Sequence, residues 1–86
     1  MRFLTSKQFD KAYSKLPQKV KIKFKQRRDL FLENEFNPLL DNHPLAGEYG
    51  GFRSINITGD FRAIYYRLGG DVMVFVNIGT HSQLYG

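Results

Sequence analysis

A chain of 86 residues, 42% hydrophobic and 15% aromatic, has the apolar mass for one modest core, so a single domain spanning residues 1–86 is expected. It has no Cys, which excludes disulfides and thiolate metal sites and suits a reducing cytoplasm, and no apolar run reaches the roughly 20 residues of a membrane span. The net charge of +5 is lopsided: ten of the 13 Lys and Arg lie between Arg2 and Arg28, a pattern that suits a polyanion, an acidic protein partner or a solvated helix face.

Met1-Arg2-Phe3-Leu4 lacks the apolar stretch of a signal peptide, so a soluble cytoplasmic domain with no membrane partner is expected. Arg2-Phe3-Leu4 reads as a short opening strand. Thr5-Ser6 supplies an N-cap, and Phe9, Ala12, Tyr13 and Leu16 follow at the spacing of one apolar helix face. Pro17 ends that helix and suits the first turn of another.

From Gln18 two patterns compete. Lys19-Val20-Lys21-Ile22-Lys23-Phe24-Lys25 alternates like a strand, yet Leu16, Val20, Phe24, Leu30 and Phe31 share one side of a helix. The stretch from Gln18 to Asn37 holds no Gly or Pro and exceeds an ordinary strand in length, which predicts a helix to about Phe36. Lys23 and Arg27 then border its apolar face, with stems packed and heads in water.

Asn37-Pro38 closes the helix, and a loop rich in turn residues follows through His43, Pro44, Gly47, Gly50 and Gly51. The period then becomes two. Strands are predicted at Arg53–Ile57, Phe61–Arg67 and Asp71–Ile78, with turns at Thr58-Gly59-Asp60 and Gly69-Gly70. In the last strand Val72, Val74, Val76 and Ile78 are expected on one face, Met73 and Phe75 on the other. The fold class is α+β: two N-terminal helices packed on a three- to four-stranded antiparallel sheet.

The only two histidines, His43 and His81, sit in loop-like contexts. Pro44 holds His43 extended, and His81 follows the end of the last strand, where functional groups commonly stand. Asp60 lies in a turn, and turn chemistry is its simplest account. Neither zinc-ligand spacing nor a phosphate loop, dinucleotide fingerprint or nucleophile elbow is present, so no metal and no cofactor are expected.

His43-Pro44-Leu45, Gly47, Gly51-Phe52-Arg53, Gly59-Asp60-Phe61-Arg62, Ile64-Tyr65 and the final Gly79-Thr80-His81-Ser82-Gln83-Leu84-Tyr85-Gly86 form an ordered set. That set resembles the YafQ branch of the RelE/ParE toxin superfamily, closely over about half the chain. The resemblance implies the toxin of a type II toxin–antitoxin system: an endoribonuclease that cuts mRNA on the ribosome, monomeric alone and silenced by a cognate acidic antitoxin. By the same resemblance His43, Asp60 and His81 match catalytic residues, and Tyr85 the family's terminal aromatic. Asn56 stands where the family carries a middle histidine. Arg62 matches an arginine of the RelE branch that the YafQ branch lacks.

These residue types suit cleavage through the RNA's own 2′-hydroxyl without a metal. His81 is expected as general acid, with His43 or Asp60 as general base. Arg53 and Arg62 are expected on the scissile phosphate, Tyr85 against a base, and Lys19, Lys23 and Arg27 on ribosomal RNA. For Arg53 a strand-edge salt bridge to Asp60 or Glu48 is the alternative. A different function within the superfamily, ParE-like inhibition of DNA gyrase by binding alone, needs none of His43, Asp60, His81 and Tyr85.

Overall fold

The computed structural model describes residues 1–86. Ser6 starts the first helix, α1 (Lys7–Ser14): its backbone is extended and its hydroxyl accepts the Phe9 N–H, satisfying a donor the helix itself cannot. Pro17 begins the second, α2 (Gln18–Glu33), its carbonyl accepting from Val20 and Lys21. The strand-like alternation of Lys19–Lys25 gives way because the helix brings Val20, Phe24 and Phe31 to one buried side. The helix stops short of the expected Phe36. Asn34 turns extended, and its Oδ1 accepts the Phe36 N–H in a local turn that replaces helical pairing.

The sheet has five strands: β1 (Arg2–Thr5), β2 (His43–Pro44), β3 (Arg53–Asn56), β4 (Phe61–Gly69) and β5 (Val72–Thr80), in the order β1-β5-β4-β3-β2. A short helix, α3 (His81–Tyr85), follows β5. The α+β class is as expected, but the sheet is mixed and wider than three or four antiparallel strands. β1 runs parallel to β5, with the Arg2 N–H donating to Asp71 and the Ser6 N–H to Phe75. β2, read in the sequence as loop, pairs antiparallel with β3 at two positions only. Both edge strands are short; β1 pairs about 70 residues away and β2 has only two residues, so hydropathy period carries no trace of either pairing.

One further expectation is corrected inside β5. Ile64 pairs with Asn77 while Tyr65 pairs with Phe75, so Val76 is an extra residue without a partner. Such a bulge resets the alternation. Ile78 therefore joins Met73 and Phe75 in the core instead of sharing a face with Val72 and Val74.

The core is a set of rings gathered on Phe75, which is wholly buried. Phe9 and Phe24 approach it from the two helices at 5.9 and 5.6 Å between centroids, Phe31 at 5.3 Å, Tyr65 at 5.6 Å and Phe3 of β1 at 5.8 Å. Ring pairs at such distances add roughly 0.5–1.5 kcal/mol beyond area burial. No helix is long and apolar enough to cross a membrane. Truncation at this hub, Phe75→Ala, is expected to cost about 3–5 kcal/mol, while Leu68→Ala at an exposed site stays within about 0.5 kcal/mol. Urea unfolding of the two variants measures the contrast.

Candidate functional site

Strand alternation divides the sheet into two surfaces. Ile55, Ile57, Ala63, Tyr65, Met73 and Phe75 face α1 and α2 and build the core. Ser54, Asn56, Arg62 and Ile64 point the other way. On that second surface His43 pairs with Ser54, Asn56 with Arg62, and Arg62 with Gly79. A cavity of about 300 Å³ opens there, lined by His43, Leu45, Ala46, Ser54, Arg62, His81 and Tyr85.

The His43 ring is exposed, and its Nδ1 lies 2.9 Å from the Asp41 carbonyl oxygen. A carbonyl only accepts, so Nδ1 carries the hydrogen and Nε2 is the nitrogen left to accept a proton. Asp41 is the one residue other than Gly with a positive φ, at 46°, and this left-handed turn precedes the strand that carries His43.

His81 lies not in a loop but at the first position of α3. Thr80 caps that helix through a reciprocal pair: Gln83 N–H donates to Thr80 Oγ1 at 3.2 Å, and Thr80 N–H to Gln83 Oε1 at 2.9 Å. The Thr80-x-x-Gln83 spacing is the capping-box signal that reveals this helix in the sequence. Gly79 leaves room for it, since a Cβ there would stand 2.9 Å from Gln83 Oε1. One turn on, the Tyr85 ring sits 4.8 Å from the His81 ring, tilted by 59°, and meets Tyr49 edge-on at 5.9 Å. Tyr49, which the sequence reading passed over, thus extends the aromatic rim.

Arg62 is half-buried and tethered through one nitrogen. Its Nη1 donates to the carbonyls of Thr58, Gly59 and Phe61 at 3.0, 3.1 and 3.1 Å, leaving Nε and Nη2 without a protein acceptor. Beside it Asn56 Oδ1 is buried with no hydrogen-bond partner, and so is Ser54 Oγ on the cavity floor.

The other expected site residues lie elsewhere. Asp60 stands next to His81, whose N–H donates to the Asp60 carbonyl at 3.3 Å, but it lines a separate open cavity with Gly59, Thr80, His81 and Ser82. Arg53 shares the parity of Ile55 and Ile57. Its Nε donates to Asn42 Oδ1 at 2.7 Å, and its guanidinium lies over the Phe36 ring at 5.2 Å, so neither Asp60 nor Glu48 pairs with it. Lys19, Lys23 and Arg27 belong to α2, across the sheet from the cavity. Lys19 is exposed, and Arg27 Nη1 is engaged by the Leu39 carbonyl at 3.3 Å.

The family model of YafQ, a bacterial toxin of type II toxin–antitoxin systems, matches residues 1–86. The chain belongs to the YafQ toxin family. YafQ from E. coli strain BL21(DE3) superposes with a TM-score of 0.80 at 29% identity, over 98% of this chain and 97% of that one. The E. coli DinJ–YafQ complex gives 0.76 at 30% identity, over 98% and 97%. The YoeB/ParE toxin from Agrobacterium tumefaciens, 19% identical over 94% and 99%, shares the fold with a TM-score of 0.78. No curated protein sequence matches significantly. Within this YafQ-family chain the His43 contact makes a spectroscopic prediction. Imidazole nitrogen shifts above the ring's titration should report the Nδ1–H tautomer, and a dominant Nε2–H form would contradict the Asp41 contact.

Proposed function

We propose that this protein is the nuclease toxin of its toxin–antitoxin system, a ribosome-dependent mRNA endoribonuclease that works without a metal. The observation that carries this reading is the meeting of His43, Arg62, His81 and Tyr85, from three separate chain segments, around one open cavity. His43 Nε2 takes the proton from the RNA 2′-hydroxyl, which attacks the adjacent phosphorus. His81 returns a proton to the departing 5′-oxygen. The free Nε and Nη2 of Arg62 meet the charge that builds on the phosphorane, and Tyr85 with Tyr49 offers ring faces to an unstacked base. Asp60 is the alternative base, acting from its neighbouring cavity. Arg53 is given no place at the phosphate, since Asn42 and Phe36 occupy its guanidinium.

Partner assignments follow from charge. The α2 cations Lys19, Lys23 and Arg27 lie across the sheet from the cavity, so they supply affinity for ribosomal RNA and no choice of codon. E. coli YafQ is found in complex with DinJ. By analogy an acidic antitoxin segment is proposed as this chain's inhibitor in the cytoplasm, drawn by the same basic surface.

Single-turnover cleavage on programmed ribosomes tests the acid. His81→Ala should lose at least roughly 10²-fold in rate with ribosome affinity nearly intact. Arg62→Ala should lose a comparable factor, and adding Asn56→His should restore part of it, because Asn56 and Arg62 are cross-strand neighbours. Wild-type cleavage by His81→Ala, with no response to the restored histidine, would overturn the assignment and favour gyrase inhibition, read in a supercoiling assay. Separately, replacing Lys19 and Lys23 with Gln should weaken ribosome binding and lower its salt slope by about one unit per lost contact. An unchanged slope would make that surface a solubility feature.

A further inference from the structure

On the helix side of the sheet lies a buried polar cluster that the proposed chemistry leaves unused. Glu35, just beyond α2, is only 9% exposed, an unusual place for a carboxylate. Its two oxygens are separately satisfied: the Tyr65 hydroxyl donates to Oε2 at 2.6 Å, and Arg67 Nη2 to Oε1 at 2.8 Å. Burial foremost, and then the bond to Glu35, push the Tyr65 phenol far above its ordinary range, so it stays protonated.

The chain of bonds continues to Asn42. Its Nδ2 donates to the Tyr65 hydroxyl oxygen at 2.7 Å and to the Glu35 backbone carbonyl at 3.0 Å, while its Oδ1 accepts from Arg53 Nε. Both amide hydrogens and the amide oxygen are therefore committed. A side chain bound at three points by buried or half-buried partners fixes its own backbone.

What that backbone carries is His43. β2 has two residues and two pairing positions, a ladder too short to hold a ring in place by itself. Before it, Leu40 is wholly buried and Asp41 holds the left-handed turn whose carbonyl meets His43 Nδ1. Asn42 lies between that turn and the ring. We propose that the Glu35–Tyr65–Asn42 hydrogen-bond chain positions the His43 imidazole, so that Asn42 and Tyr65 are positioning residues for a site on the opposite face of the sheet. The proposal rests on the reading of His43 as general base. It differs from a purely stabilising role in where the loss appears: in the placement of one ring.

Tyr65→Phe is the sharpest test, because it removes one hydroxyl and keeps the ring that packs on Phe31 and Phe75. Asn42→Ala is the second variant, with circular dichroism confirming that each folds. Imidazole nitrogen NMR should show His43 leaving the pure Nδ1–H form in both. Cleavage on programmed ribosomes should slow on the order of tenfold at saturation with KM unchanged, as expected for a misplaced reacting group. In a His43→Ala background the Tyr65→Phe change should cost nothing further. An unchanged His43 tautomer in both folded variants would overturn the proposal. So would a Tyr65→Phe loss that persists in full without His43. Should His43→Ala itself cleave at the wild-type rate while the tautomer still shifts, the general-base reading falls and the positioning chain stands.

Discussion

The packing of rings on Phe75 is the constraint from which the remaining architecture follows. Phe9 and Phe24 reach it from two helices and Phe3 from the parallel edge strand, so both helices are committed to one surface of the sheet. The opposite surface is left for other uses. There the strands present Ser54, Asn56 and Arg62 in cross-strand register with His43 and Gly79. The apolar demand of a small chain thus decides which surface can hold open polar side chains, and the cavity occurs on the surface the helices do not need.

The bulge at Val76 links these two sides. Without the extra residue, Ile78 would point away from the core, and the register that sets Arg62 opposite Gly79 would be shifted by one. With it, β5 keeps Met73, Phe75 and Ile78 inward and still delivers Thr80 as the cap of α3. The placement of His81 beside Tyr85 therefore depends on an irregularity in the middle of the sheet as much as on the capping box at its end.

Much of this was legible in the residues. The Ser6 cap, the Pro17 break and the alternation of β3 and β4 all lie in local pattern, and local pattern sets local backbone. What escaped depends mostly on pairing between strands. The parallel pairing of β1 rests on a partner about 70 residues away, β2 at two residues is too short to show a period, and the bulge is a property of two strands together. The candidate site divides the same way. His43, Arg62, His81 and Tyr85 were named from motif order and do lie at one cavity, whereas Arg53, equally prominent in the motif, points to the helix side. Its parity with Ile55 and Ile57 was visible in the sequence; that Ile55 and Ile57 face the helices was not. The capping box Thr80-x-x-Gln83 was also there to be read, and it turns an expected loop into α3.

The smallest strand has a consequence of its own. β2 forms an outer margin of the sheet, and its second residue is Pro44, which has no N–H to offer. An approaching extended chain finds almost no ladder there on which to add itself. The border beside His43 is thus protected from the edge-to-edge association that exposed strands invite, and it stays open to a ligand held by side chains. A proline that appears at first as a loop residue next to a histidine acts, in the folded molecule, as the stop that keeps the sheet from growing over its own cavity.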